Sequence, residues 1–365
     1  MRVMVAMSGG VDSSVAAAMM VEAGHEVVGL TMKLRDATAA EQARRGGSCC
    51  SPDDLLDARQ VCDVLGIAHY VVDYREVFRR QVMEPFAEDY LAGRTPNPCV
   101  RCNDHVKFAP LLERAKALGC DQLVTGHYAR VVEQAGRHEL HQALDAEKDQ
   151  SYFLFGVPGE ALAMTHFPLG GLSKTEVRAR GKAMGLPTWD KADSEDICFV
   201  PEGQYAPVVE RLVGAERIPS AGPIVDEAGE VLGTHAGVHR YTVGQRKGLG
   251  VGGGERLYVL SVDGPTRTVV VGPGDHLLSS ELVARRLRWV AGEPPASHFE
   301  ATARIRYRHA GAEAEVSVTT EDFMQLRFAQ PQRAVAPGQA VVLYQGSRVL
   351  GGGWIEASES VPHGG

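Results

Sequence analysis

The chain of 365 residues is 44% hydrophobic and 23% charged, a globular composition too long for one ordinary domain of roughly 100–200 residues. No apolar run approaches the ~18 residues of a membrane span, and the apolar start MRVMVAM is too short for a signal peptide. Seven cysteines are odd in number and sparse, so reduced thiols in a cytoplasm are expected rather than a disulfide scaffold. The net charge of −8 argues against binding nucleic acid by bulk charge, but not against a local basic patch.

In chain order, residues 2–7 read as a short apolar strand followed by a Gly/Ser turn. Residues 13–23 read as a helix with Val15 and Met19 on one face and Gly24 as its stop. Residues 26–32 form the next strand. Ser51-Pro52-Asp53-Asp54 has the cap, proline and acids of a helix start, and Leu55, Ala58, Cys62 and Leu65 recur at helical spacing. Residues 68–73 are a third strand, 107–118 are helical, and 122–128 are a strand ending in Gly126-His127. This alternation predicts an α/β domain over residues 1–200, with a parallel sheet covered on both faces. From Pro201 onward, short β segments between Gly/Pro turns predict a small β-rich linker domain over 201–274 and a C-terminal β-barrel over 275–358. The tail, 359–365, is expected to be disordered.

The strongest motif is Ser8-Gly9-Gly10-Val11-Asp12-Ser13-Ser14, between the first strand and the first helix. Two glycines admit an anion close to the backbone, and the free N–H groups of the helix start, with the hydroxyls of Ser8, Ser13 and Ser14, would cradle phosphate. No lysine follows, so this is not the loop of a γ-phosphate-cleaving enzyme. It resembles the loop of ATP pyrophosphatases, which split ATP to AMP and pyrophosphate, and Asp12 would suit a Mg²⁺ on the pyrophosphate.

Thr95-Pro96-Asn97-Pro98-Cys99-Val100-Arg101-Cys102-Asn103 is a stiff segment presenting a C-x-x-C. That pair reads as half a zinc site, a redox pair or a nucleophile, and no second pair exists to complete a zinc site. Arg101, His105 and Lys107 would lower nearby thiol pKa values. Cys198 stands among apolar neighbours, ordinarily the mark of a buried residue, but its flanking acids and the other motifs favour a function. Cys62 and Cys120 read as core; Cys49 and Cys50, in a polar loop, stay ambiguous. Lys148-Asp149-Gln150 is a polar loop suited to substrate recognition, and 244–250 (GQRKGLG) is a flexible basic loop. Arg304, Arg306 and Arg308 alternate, so they would share one face of a strand and, with Arg285, Arg286 and Arg288, make a basic patch for phosphates.

Together the stretches AMSGGVDSS, TPNPxxxCN, GHYAR, KDQSYFL, ICF, GQRKGLG, IRYR and PGQ closely resemble the bacterial tRNA-specific 2-thiouridylases over nearly the whole chain. The resemblance implies a Rossmann-like, adenine nucleotide α-hydrolase-like fold and replacement of the C2 oxygen of the anticodon wobble uridine by sulfur. ATP, with Mg²⁺, would be held by Ala6, Met7, Ser8, Gly9, Gly10, Val11, Asp12, Ser13, Met32 and Gly126. Cys198 would carry sulfur as a persulfide and Cys102 would be the nucleophile, the two ending as a disulfide. Asn97, Pro98 and Cys99 would touch the target base, and His127, Lys148, Asp149, Gln150, Arg306, Tyr307 and Gln339 the tRNA. The partners implied are tRNAs for Glu, Gln and Lys and a sulfur donor, either a cysteine desulfurase or a relay protein.

One departure stands out: many members carry aspartate where this chain has Cys99. Cys99, Cys102 and Cys198 then match the pattern by which some related enzymes hold a [4Fe–4S] cluster, although the persulfide route is preferred. Two other readings share parts of the pattern. Adenylating amide-forming ligases, such as the argininosuccinate and NAD synthetases, share the loop but need no cysteine pair. A non-catalytic, ATP-gated RNA-binding protein would bind tRNA and release no pyrophosphate.

Overall fold

Five parallel strands in the order β3-β2-β1-β4-β7 form the first sheet of the computed structural model, which describes residues 1–36, 52–193, 196–252 and 256–360. They are β1 (Arg2–Ala6), β2 (Glu26–Lys33), β3 (Ala68–Asp73), β4 (Gln122–Thr125) and β7 (Thr165–His166), with the hairpin β5 (Ala129–Gln134) and β6 (Arg137–Gln142) before the last. Successive residues of β1 point to opposite faces. Val3 and Val5 join Val15, Ala58, Cys62 and Val177 in one core, while Met4 joins Leu30, Phe78, Leu111 and Ala115 in another. The sheet is thus covered on both sides, except that Tyr70 and Val71 of edge strand β3 are about half exposed.

Local departures from the expected elements have local causes. The first helix begins at Val11, not residue 13, and turns Met20 rather than Met19 into the core. The helix expected over 107–118 starts earlier, as Pro98–Cys102, a π-helical turn over Asn103–Phe108, and then Ala109–Ala117. Pro110 cannot donate to the preceding turn, and the wider π turn sits where that bond is missing. Pro85 stands in the same relation to the π turn Arg79–Met83. The Cys49-Cys50 pair and the Ser51 cap lie outside the described residues.

The middle region is a four-stranded sheet, β10-β11-β8-β9, made of β8 (Gly222–Val225), β9 (Val231–His235), β10 (Tyr258–Asp263) and β11 (Thr268–Gly272). Its core is small, around Ile224, Val238, Val259, Val269 and Val271. The basic loop expected to be flexible is braced by its own glutamine. Gln245 Oε1 accepts from Thr242 N at 3.1 Å, and Gln245 Nε2 donates to the Lys247 carbonyl at 3.0 Å.

Six strands close the C-terminal barrel: β12 (Leu278–Trp289), β13 (His298–Arg304), β14 (Ala312–Thr320), β15 (Phe323–Arg333), β16 (Ala340–Gln345) and β17 (Arg348–Ser360). They run β12-β15-β14-β13-β16-β17, with β17 returning to β12, and the β5–β6 hairpin extends the same sheet. Glu359 and Ser360, expected in the disordered tail, instead pair with Glu281 and Ser279; the rest of the tail lies outside the described residues.

β16 is apolar at every position but the last because both its faces are buried. Val341 and Leu343 enter the barrel core, while Ala340, Val342 and Tyr344 join the core of the first domain. The expected arginine stripe does not form. β13 ends at Arg304, and a turn closed by His309 N to the Arg306 carbonyl follows. Arg285, Arg286 and Arg288 lie on β12, across the barrel from β13, so the two arginine runs form no single patch. Arg304 points inward, 13% exposed, and its guanidinium meets the 2% exposed carboxylate of Asp149 at 3.0 Å.

Removing one partner of a buried ion pair leaves the other charge without compensation. Arg304→Ala should therefore lower unfolding stability by about 3–5 kcal/mol, read as a lower urea midpoint. Asp149→Asn in the same chain should recover part of the loss. Unchanged stability in Arg304→Ala would return this arginine to the role of a surface cation.

Candidate active site

The carboxyl ends of β1, β2 and β4 open onto a cavity of about 1130 Å³, floored by the 8–14 loop and walled by the barrel. The loop is built by its serines. Ser13 Oγ accepts from Ser8 N and meets Ser8 Oγ, both at 3.1 Å, and donates to the Gly10 carbonyl at 3.2 Å. Ser14 is different: it is fully buried and its hydroxyl donates to Gly10 O at 2.8 Å. It shapes the loop and offers no cradle to phosphate, against expectation. Gly9 does not line the cavity; its φ is +75°, and a Cβ there would fall 2.1 Å from the Asp54 carbonyl. At Gly126 a Cβ would lie 2.7 Å from Ser13 N, so the end of β4 touches the loop only because it is glycine.

An ion cluster that sequence reasoning missed sits beside the loop. Asp12 accepts from Tyr128 Oη at 2.9 Å and from both sides by Lys174 Nζ at 2.8 and 2.9 Å. Lys174 also reaches Asp193 at 2.9 Å, which takes Lys148 and Arg178 at 2.7 Å each. Burial raises the Asp193 pKa, but hydrogen bonds from Lys148 and Lys174 outweigh it and hold the carboxyl at about 2. Burial, then the charge of Asp12, pushes the Tyr128 phenol well up. A second lysine, Lys191, ties the same segment to the back of the loop through the Gly9 carbonyl, Asp54 and Asp57. Lys191 and Asp193, which precede Cys198 in the chain, are both tied to this loop region. The signal that could have found Lys174 is its capping box: Ser173 and Glu176 fix the start of the helix Lys174–Ala183.

The other predicted residues converge on the same cavity. Cys99, Cys102 and Cys198 all line it, Cys102 buried and the others half-buried. Among the described residues no three Cys, His, Asp or Glu side chains come together as a metal site. Asp12 fits Mg²⁺, which commonly takes one or two carboxylates and completes its shell with phosphate and water. Cys62 and Cys120 are core, as expected, and burial raises both thiols, Cys62 to about 11.

Of the cations expected to activate Cys99 and Cys102, Arg101 turns away to the Gln81 carbonyl at 3.0 Å. Burial lowers the pKa of His105, which leaves Lys107 on the cavity wall.

Several predicted tRNA contacts also have partners within the chain, although Asn97, His127, Asp149 and Gln339 all line the cavity. Asp149 is buried and accepts from Ala143 N, Ser151 N, Ser151 Oγ and Arg304, so its side chain organises the loop and presents nothing to the surface. Gln339 Nε2 donates to the Thr95 and Pro96 carbonyls at 3.1 and 3.2 Å, holding the segment before Cys99. Asn97 caps the helix Pro98–Cys102 through Val100 N at 3.3 Å. His127 packs between the rings of Phe108 and Phe167; burial, then Lys107, keeps it well below its ordinary pKa, so it is a neutral wall. Arg306 lies outside the cavity and donates to the Arg333 carbonyl at 3.1 Å. Ala6, Met7, Ser8, Gly10, Val11, Ser13, Met32, Pro98, Lys148, Gln150 and Tyr307 line it as expected.

A parallel sheet with a glycine-serine phosphate loop, backed by a small β module and a six-stranded barrel, defines a nucleotide-binding HUP-domain protein with two appended β modules. Family profiles match in that order: a tRNA methyl transferase HUP domain over 1–202, a tRNA methyl transferase PRC-barrel domain over 210–273 and an aminomethyltransferase β-barrel domain over 279–355. The chain belongs to the tRNA-specific 2-thiouridylase family. It is 49% identical to the tRNA-specific 2-thiouridylase MnmA of Geotalea uraniireducens (strain Rf4), over 97% of this chain and 95% of that one. It is 48% identical to the protein of that name in Geobacter metallireducens, over 98% and 97%.

Asp193 supplies a pH prediction. A carboxyl lowered by folding contributes stability above its unfolded pKa of roughly 4, and loses it as pH falls toward the folded value. The stability gap between wild type and Asp193→Asn should be constant from pH 7 to 5 and shrink below 4. A gap unchanged down to pH 3 would mean the cluster does not hold this carboxylate in its charged form.

Proposed function

We propose that the chain replaces the C2 oxygen of the tRNA wobble uridine with sulfur at the expense of ATP. The observation that carries this is convergence: the phosphate loop at 8–14, Cys102 and Cys198 all face one cavity although they lie far apart in sequence. The family profiles are described in terms of methyl transfer and the relatives in terms of thiolation; two cysteines facing a nucleotide loop favour sulfur.

The uridine O2 attacks the α-phosphorus of ATP and pyrophosphate leaves, which turns a poor leaving group into AMP. The N–H groups at the start of the first helix and the hydroxyls of Ser8 and Ser13 would hold the phosphates. Asp12 would hold Mg²⁺, which shields phosphate charge when bound. The Lys174 ammonium, freed from Asp12, would face the leaving pyrophosphate. The terminal sulfur of a Cys198 persulfide then attacks C2 and AMP departs with the oxygen. Attack of the Cys102 thiolate on Cys198 Sγ breaks the bond to the transferred sulfur. This leaves 2-thiouridine and a Cys102–Cys198 disulfide, which a dithiol reductant resets. The sulfur comes from a desulfurase or relay protein, and the substrates are the tRNAs for Glu, Gln and Lys.

The test is 2-thiouridine formation by aerobically purified, iron-free enzyme. Cys198→Ser should be inactive and accept no labelled sulfur, whereas Cys102→Ser should still load Cys198 but fail to turn over. Cys99→Ser should keep substantial activity. Wild-type enzyme that is inactive until iron and sulfide are supplied would overturn the persulfide route.

The same reading gives a measurement on nucleotide alone. Lys174→Met should weaken ATP binding about ten- to a hundredfold, the cost of one charge-assisted hydrogen bond, while leaving adenosine binding unchanged. Equal affinities in a calorimetric titration would leave Lys174 only a partner of Asp12.

A further inference from the structure

Asn103 follows Cys102 at the start of the π-helical turn and lines the cavity. It is 3% exposed, and its two amide atoms have different fates. Nδ2 donates to the Phe153 carbonyl at 3.3 Å, whereas Oδ1 is buried with no hydrogen-bond partner among the described residues. A buried carbonyl left unpaired costs about 1–3 kcal/mol, so native proteins rarely keep one without a use. The amide cannot turn to escape, because Oδ1 would then oppose the Phe153 oxygen. The side chain is thus an oriented, unpartnered acceptor on a residue that lines the cavity.

The ring of Phe153, whose carbonyl orients that amide, also lines the cavity and is half-buried. It lies 4.4 Å from the ring of Tyr307 at a 34° tilt. An aromatic surface beside a single fixed acceptor is what a flipped-out base needs: a face to stack on and a partner for one edge.

We infer that Asn103 is a specificity-determining residue whose Oδ1 accepts the N3–H of the target uracil while the base stacks on Phe153; this rests on the reading of the substrate as tRNA uridine. Uracil has a donor at N3, flanked by the O2 and O4 carbonyls. Cytosine has a lone pair there, which would face the fixed oxygen and be repelled. The acceptor therefore selects uridine by refusing its nearest analogue. C2 is bonded to N3, so this hydrogen bond also brings the reacting carbon to the stretch of chain that bears Cys102.

The test measures equilibrium binding of an anticodon stem-loop RNA with uridine or 3-deazauridine at the target position; the analogue has C–H where uridine has N3–H. Wild type should prefer uridine about tenfold. Asn103→Leu and Asn103→Ala should bind both RNAs within twofold of one another. A merely structural asparagine would lower both affinities together and leave their ratio intact, so a tenfold preference persisting in Asn103→Leu and Asn103→Ala would overturn the inference. So would wild type that thiolates tRNA yet binds both RNAs equally. Wild type that thiolates no tRNA would instead remove the functional reading, and this inference with it.

Discussion

The buried pairing of Arg304 with Asp149 is the constraint on which the geometry of the site depends. Asp149 fixes the loop that contains Gln150, which exchanges two bonds with Tyr128: Gln150 N to the Tyr128 carbonyl at 2.8 Å and Tyr128 N to Gln150 Oε1 at 3.0 Å. Tyr128 in turn donates to Asp12. One line of hydrogen bonds thus runs from the barrel to the phosphate loop. A second runs from the turn at 337–339 to the segment before Cys99, through Thr95 N to Pro337 O and the Gln339 amide. The barrel therefore acts as a brace for the catalytic loops as well as a wall of the cavity.

Charge in the site is arranged locally, against the sign of the whole. The chain carries −8, yet Lys148, Lys174 and Arg178 converge on Asp12 and Asp193 in the cluster beside the loop. In the nucleotide-free state Lys174 bonds with Asp12, so neither charge is left unpaired at low exposure. On the proposed reading, a polyphosphate with its metal would exchange both partners at once, giving Asp12 a cation and Lys174 an anion.

What could be read from the sequence follows from range. The phosphate loop, the core cysteines and the β-rich second half were legible because each depends on neighbours within a turn or a strand. The stripe drawn through Arg304, Arg306 and Arg308 failed because the strand stops at Arg304, and β-periodicity carries no information beyond a strand's end. Arg304 and Asp149 are 155 residues apart, Lys174 and Asp12 162, and Gln339 and Thr95 244. No local pattern distinguishes such side chains from solvated ones. Resemblance marked Gln339 and Asp149, but not the bonds they make across the chain to Thr95 and Arg304. Asn103 lay in full view within a motif, and only its burial and its unpaired oxygen distinguish its role.

The closure of the barrel by β17 on β12 has a consequence for synthesis. A ribosome emits the phosphate loop first and the closing strand after every other element of the site. Pairing of residues 348–360 with residues 279–289 must wait for the strand to emerge, and so must closure of the barrel core over Val341 and Leu343 of β16. Until then the nascent chain can form its parallel sheet, but the cysteine-bearing loop lacks its brace. A chain still lacking its closing strand would thus be poorly placed for chemistry at the site, and the arrival of β17 would itself serve as the licence for it.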